Sequence, residues 1–174
     1  MTRSAEDRTL VLVRHAKAEQ GGWDRDHERT LTGRGHRDAV AAGRWLCDHG
    51  IGCDEVLCST AARARQTADG IAEAGCCEAE IQYDAAIYNA SAAGLLGVLR
   101  EADPEAQVLM MVGHAPGIPQ LASLLADGEG REEAHDLMSQ GWPTSGVAVL
   151  RYDGHWSDLD WGTAYLQAFA APRG

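Results

Sequence analysis

The sequence has few positive charges and no long run of apolar residues. Its 174 residues include 15 Lys and Arg against 26 Asp and Glu, for a formal net charge of −11. That charge repels nucleic acid and anionic membranes overall. No stretch reaches the ~20 apolar residues of a membrane span, and the N-terminal segment MTRSAEDRTL has no apolar signal core. We expect neither a nucleic-acid partner nor a membrane partner, and anionic ligands only where cations gather locally.

Cysteine is also sparse, and its pattern gives little support to a zinc site or a disulfide framework. There are five cysteines, an odd number, and no C-x-x-C pair. They are Cys47, Cys53, Cys58, Cys76 and Cys77. We therefore expect a reduced, cytoplasmic protein without a bound metal, in which the adjacent Cys76 and Cys77 need not be redox-active.

Short apolar runs alternate with helical patterns along the chain. Continuous apolar runs at 10–13 and 108–112 are typical of strands buried on both faces. Further strands are predicted at 55–58, 81–83 and 147–152, the last nearer a sheet edge. Helices are predicted at about 32–49 and 61–74 and after Ser91 and Pro116, with a polar surface helix and loops within 128–141. The pattern predicts one α/β domain over 1–174, with its core at about 9–170, in which helices flank a largely parallel sheet in three layers.

Cationic side chains follow three of these predicted strands. The first strand ends in Arg14 and His15, the second is followed by Arg63, and the third is followed by His114. In open α/β sheets, ligands bind in the crevice outside the carboxyl ends of the strands. If the three strands are neighbours, two arginines and two histidines converge there, in a chain whose overall charge is negative.

These residue types suit a phosphoryl group. Guanidinium groups form bidentate hydrogen bonds with phosphate oxygens and stay charged. A neutral imidazole nitrogen can attack phosphorus and form a covalent intermediate, which water then hydrolyses. Helix starts after Ser59 and Gly113 would add backbone N–H groups and favourable dipoles.

Four ordered motifs resemble those of the histidine phosphatase superfamily, which has the phosphoglycerate mutase-like fold. Leu12-Val13-Arg14-His15-Ala16 is similar to the Arg-His-Gly motif of that family. The others are Leu31-Thr32-Gly33-Arg34-Gly35, Ser59-Thr60-Ala61-Ala62-Arg63-Ala64-Arg65-Gln66-Thr67 and Val112-Gly113-His114-Ala115-Pro116-Gly117. The resemblance covers roughly residues 9–150. Within the family, the chain looks most like the small SixA-type phosphohistidine phosphatases.

The resemblance implies specific roles and partners. His15 would accept the phosphoryl group, and Arg14, Arg63 and His114 would complete the phosphate pocket, with Ala115 as a further phosphate-binding position. The family needs no metal and no organic cofactor. The implied partner is a phosphorylated protein or a small phosphorylated metabolite.

The sequence departs from the family pattern at two positions. Ala16 replaces the usual glycine, and Asn89 falls where the mutase-type branches carry a proton-donating glutamate. An alkoxide leaving group usually needs a proton donor, whereas an imidazole leaves more readily. We therefore expect phosphohistidine of a protein as substrate.

Several alternatives stay open. Glu19 or Asp24 could supply the missing acid, which would favour a small-molecule phosphomonoesterase or a phosphomutase. A binding module that recognises phosphorylated partners without turnover is a third hypothesis. Trp23, in its Gly-Gly loop, could flank the pocket.

Overall fold

The computed structural model describes residues 7–21 and 23–174, and only the backbone of Trp23 and Asp24. The predictions for those two side chains therefore lie outside the described residues. Within these residues the chain forms seven strands and five α-helices. The strands are β1 (Asp7–Arg14), β2 (Glu55–Cys58), β3 (Ile81–Tyr83), β4 (Val108–Gly113), β5 (Ala126–Gly130), β6 (Val147–Asp153) and β7 (Ala164–Ala170). The helices are α1 (Gly33–Asp48), α2 (Ala62–Ala72), α3 (Ala92–Arg100), α4 (Gly117–Leu125) and α5 (Glu132–Ser139).

All seven strands join one sheet in the order β3-β2-β4-β1-β6-β7-β5. The pairs β3–β2, β2–β4 and β4–β1 are parallel, whereas β6 runs antiparallel to both β1 and β7. The predicted α/β class with a largely parallel sheet is confirmed. The strand predicted nearer a sheet edge, β6, is the third strand from one end of the sheet, because the later strands β7 and β5 extend the sheet beyond it.

The apolar run of β1 is continuous because the sheet is covered on both faces. Leu10 and Leu12 pack into one hydrophobic cluster with the leucines of α3 and α4. Val11 and Val13 point into a second cluster with residues of α1 and α2. All four are fully buried, and each contributes about 1.5–3 kcal/mol to folding. β1 therefore lies at the centre of the domain, and its carboxyl end is firmly placed.

Side-chain caps begin two of the predicted helices. The Thr32 hydroxyl accepts a hydrogen bond from the backbone N–H of Gly35, and the Ser91 hydroxyl accepts one from Gly94. Pro116 lies one residue before the first residue of α4, at the N-cap position. Across residues 7–21 and 23–174, no helix has both the length and the apolar character that crossing a membrane requires.

The cysteines are arranged differently from the prediction. Disulfides join Cys47 to Cys76 and Cys53 to Cys77, with Cα–Cα distances of 5.5 and 4.7 Å. Cys58 is buried and free, and burial raises the pKa of its thiol to about 12. The number of cysteines is odd because Cys58 packs in the hydrophobic core and stays unpaired, while the other four form two disulfides. The expectation of a fully reduced protein is corrected accordingly.

Candidate active site

The carboxyl ends of β1, β2 and β4 bring the four predicted cationic side chains together. Arg14 ends β1 opposite Gly113 of β4, and the His15 backbone N–H donates to the Gly113 carbonyl at 3.0 Å. His114 follows β4 directly, and its ring centroid lies 5.3 Å from that of His15. Arg63 projects from the first turn of α2 and is buried. The sheet order β2-β4-β1 is therefore what assembles this site.

His15 is held as a neutral ring with one defined nitrogen available. Its Nδ1 lies 2.7 Å from the Ala16 carbonyl, which can only accept a hydrogen bond. Nδ1 must then carry the proton, and Nε2 keeps its lone pair. Burial lowers the pKa of His15 to about 4, and the positive charges of Arg63 and Arg14 add to that shift. At neutral pH the ring is therefore uncharged, with a fixed tautomer in which Nε2 keeps its lone pair.

His114 is oriented by a hydroxyl group. Its Nε2 lies 2.7 Å from Ser59 Oγ, which also accepts a hydrogen bond from the Ala61 N–H at 3.2 Å. Burial and the neighbouring His15 lower the pKa of His114 to about 3. If Ser59 donates its proton to Nε2, the Nδ1 of the neutral ring carries the hydrogen. That Nδ1 is buried without a protein partner.

Both arginines are anchored at one end of the guanidinium group. Arg14 donates from one terminal nitrogen to the Trp142 carbonyl at 2.7 Å, and Arg63 donates likewise to the Asp26 carbonyl at 2.6 Å. In each case Nε is buried with no partner among the described residues. Together with His114 Nδ1, the site thus holds three unpartnered buried nitrogens. Such a set matches a tetrahedral oxyanion.

The ends of β1 and α2 are tied to each other through Thr67. The Ala16 N–H donates to the Thr67 hydroxyl at 2.9 Å, and that hydroxyl donates to the Arg63 carbonyl at 2.7 Å. Ala16 is fully buried and is not among the residues with positive φ. The methyl group in place of glycine is therefore accommodated without backbone strain at this position.

Sequence reasoning missed Asp26 and Tyr88 as site residues. The Asp26 carboxylate pairs with Arg63 at 3.1 Å and accepts a hydrogen bond from the Tyr88 hydroxyl. The Tyr88 ring also packs edge-on against His114, with 5.5 Å between ring centroids. Both residues lie within the range of the family resemblance but outside its four motifs. Their contact joins residues 62 positions apart, and no local pattern shows it.

The remaining predicted site residues lie around this group. Ala115 and Asn89 line a cavity that His114 also borders. Glu19 is exposed and lines a separate cavity with Arg25 and Arg29, which none of the four cationic residues borders. Among the described residues, no group of three or more His, Cys, Asp or Glu side chains is arranged to hold a metal ion.

The sheet order and the strand-end site define an α/β protein of the phosphoglycerate mutase-like fold. The family model of the histidine phosphatase superfamily (branch 1) matches residues 10–102, more than half of the chain. The chain therefore belongs to the histidine phosphatase superfamily.

Relatives and solved structures agree with this assignment. An uncharacterized protein of Mycobacterium tuberculosis is 40% identical over 92% of this chain and 100% of its own length. A solved structure of a candidate phosphohistidine phosphatase SixA from Nakamurella multipartitia is 36% identical, with a TM-score of 0.83 over 95% of this chain and 96% of that one. A second SixA candidate, from Agrobacterium tumefaciens, is 32% identical, with a TM-score of 0.76 over 95% and 99% of the chains. The SixA histidine phosphatase solved with tungstate shares the fold at 19% identity.

Proposed function

We propose that this protein is a metal-independent phosphatase that removes a phosphoryl group through a covalent intermediate on His15. The observation that carries the proposal is the His15 ring, whose Nδ1 is bound to the Ala16 carbonyl and whose Nε2 is free to attack. It lies beside three unpartnered nitrogens of Arg14, Arg63 and His114. Side chains of this chain would therefore supply both the nucleophile and the ligands of the oxyanion.

The reaction runs in two displacements at phosphorus. His15 Nε2 attacks, a P–N bond forms, and the bond to the leaving group breaks with its electron pair on that group. Water then attacks the phosphohistidine, inorganic phosphate departs, and Nε2 regains its lone pair. Arg14, Arg63 and His114 stabilise the equatorial oxygens in both steps. The Ala115 backbone would add a further contact at the start of α4.

The leaving group we favour is the imidazole of a phosphohistidine. The cavity beside His114 has a volume of about 350 Å³, and its other polar side chains are uncharged. They belong to Asn89, Ser91 and Gln120. Among the side chains that the structure describes, no carboxylic acid lines this cavity to protonate an alkoxide, and an imidazole that already carries a proton on its other nitrogen needs none. The SixA candidates at 36% and 32% identity support the same substrate class.

The partner would be a phosphorylated protein, with a small phosphorylated metabolite as the alternative, in the cytoplasm. Glu19 remains the candidate acid of that alternative. Its separate cavity makes it a weaker candidate than a group beside His114 would be.

A substrate panel tests the proposal directly. Wild type, His15→Asn, Arg63→Ala and the control His135→Asn, on α5, are compared on a phosphohistidine peptide and on sugar phosphates. We expect the peptide to be the better substrate and His15→Asn to lose turnover by orders of magnitude, with no acid-labile phosphoenzyme. Arg63→Ala should lower both phosphate affinity and kcat, and His135→Asn should match wild type. Faster turnover of the sugar phosphates would contradict phosphohistidine as the substrate. An active His15→Asn variant would contradict the mechanism.

A further inference from the structure

Asp26 accepts hydrogen bonds from both terminal nitrogens of the Arg63 guanidinium. Its backbone carbonyl takes a hydrogen bond from one terminal nitrogen at 2.6 Å, and its Oδ2 takes one from the other at 3.1 Å. The Nε of Arg63 stays buried and unpartnered. Asp26 thus occupies both terminal nitrogens of the guanidinium and leaves Nε for another ligand.

We propose that Asp26 is the positioning residue of the phosphate pocket, which fixes the Arg63 guanidinium so that its Nε edge meets the phosphoryl group. The effect of Asp26 on catalysis rests on the proposed function. Oxyanion binding tests it without turnover. Arg63 would contact the substrate, and Asp26 would act only through Arg63.

The contacts of Asp26 make it a rigid anchor. Oδ1 accepts from Nε of Arg29 at 3.1 Å, and Oδ2 also accepts from the Tyr88 hydroxyl. The carboxylate therefore joins two arginines and a tyrosine that come from separate segments of the chain. Tyr88 in turn packs edge-on against His114, so the same anchor reaches the second imidazole of the site.

Charge explains why a carboxylate occupies this position. The Arg63 side chain is 5% exposed, and a buried cation without a counter-charge is costly. The hydrogen bond from Tyr88, with those from Arg63 and the charge of Arg29, lowers the pKa of Asp26 to about 2. Asp26 is therefore ionised at neutral pH and has no proton to donate. It serves as a fixed acceptor and not as the missing general acid.

A double-mutant cycle separates positioning from other roles. Phosphate binding and turnover are measured in wild type, Asp26→Asn, Arg63→Ala and the double variant. The readouts are the Kd for inorganic phosphate, by calorimetry, and kcat and KM for an aryl phosphate, whose leaving group needs no acid. In the wild-type background we expect Asp26→Asn to raise Kd and lower kcat/KM by roughly 10-fold, because the Arg63 guanidinium loses its charged acceptor and solvent already weakens this contact. In the Arg63→Ala background the same change should matter less than about twofold.

Three results would overturn the role. Equal losses in both backgrounds would mean that Asp26 acts independently of Arg63. Tighter phosphate binding in Asp26→Asn would make Asp26 a competitor of the substrate. A fall of kcat/KM at high pH on an alkyl phosphate that wild type shows and Asp26→Asn lacks would make Asp26 an acid. A wild type that binds phosphate without turnover would sink the proposed phosphatase activity, while the affinities would still decide the role of Asp26.

Two further variants control for folding. Asp54→Asn removes a carboxylate that accepts from the backbone of Gln107 and Val108 at 3.0 and 2.9 Å, at the opposite end of the sheet. It should lower stability and leave phosphate affinity unchanged. Asp26→Glu keeps the charge and should recover part of the loss. If Asp26→Asn does not fold, Tyr88→Phe removes one donor to the same oxygen, and an unchanged phosphate Kd there would count against the anchor.

Discussion

The amide of Asn89 borders the cavity next to His114, at a position where a carboxylic acid could protonate an alkoxide. Asn89 has a φ of 57°, a left-handed conformation that Asn tolerates better than most residues. The two histidines nearby are neutral, so neither of them carries an extra proton to give at neutral pH. Leaving-group chemistry at this site therefore depends on what the substrate itself brings.

Replacing Asn89 tests that dependence. We expect Asn89→Glu to raise kcat on an alkyl phosphate by about 10-fold, the low end of the range for general acid help, because the new acid is not optimally placed. Hydrolysis of a phosphohistidine peptide should not improve. The matched control is Asn89→Gln, which has the same length and the same strain at positive φ but no acid. Steady-state kinetics of both variants on both substrates decide it, and equal rates for Glu and Gln on the alkyl ester would contradict the prediction.

At the scale of elements, strands β1 to β4 and β6 were predictable, whereas β7 and β5, which extend the sheet beyond β6, were not. The continuous apolar runs of β1, β2 and β4 can be recognised in the sequence because both faces of these strands are buried. β5, with the sequence ADGEG, has no apolar pattern and pairs with β7 through an irregular register. Arg14, His15, Arg63 and His114 could be predicted since they directly follow those central elements. Asp26 and Tyr88 could not, because only tertiary packing joins them.

The disulfides give a prediction at this scale. They connect residues 29 and 24 positions apart and tie the end of α1 and the loop before β2 to the segment after α2. Because the two closed loops overlap, reducing both should lower the free energy of unfolding by about 2–4 kcal/mol, the range typical of a single bridge. Urea unfolding with and without dithiothreitol measures the change.

Thiol counting supplies the control for that experiment. The unreduced, denatured protein should show one reactive thiol, that of Cys58, and a Cys58→Ala variant should show none. Cys58→Ala should also retain the full response of stability to dithiothreitol. Five reactive thiols in the unreduced protein would contradict the pairing.

At the scale of the whole molecule, two opposing charge distributions coexist. The chain carries a formal net charge of −11, yet its site gathers a buried arginine and a half-buried one, Arg63 and Arg14, and keeps two histidines neutral. The arginines lower the pKa of His15 beyond what burial does. Keeping the two histidines neutral should therefore lower the free energy of unfolding at acid pH.

That cost sets a pH dependence of stability. An ordinary histidine has a pKa of 6.5, whereas His15 and His114 are at about 4 and about 3 in the folded protein. Between these values the unfolded chain binds more protons than the folded chain, so stability falls as pH drops from about 6.5 toward 4. The double variant His15→Asn/His114→Asn removes both groups and should have a shallower slope over that window. Subtracting its urea-unfolding free energies from those of wild type cancels the effect of the net charge, which both proteins share. A difference that stays constant from pH 7 to pH 4 would show that the two histidines titrate normally, and would contradict the site's depression of their pKa values.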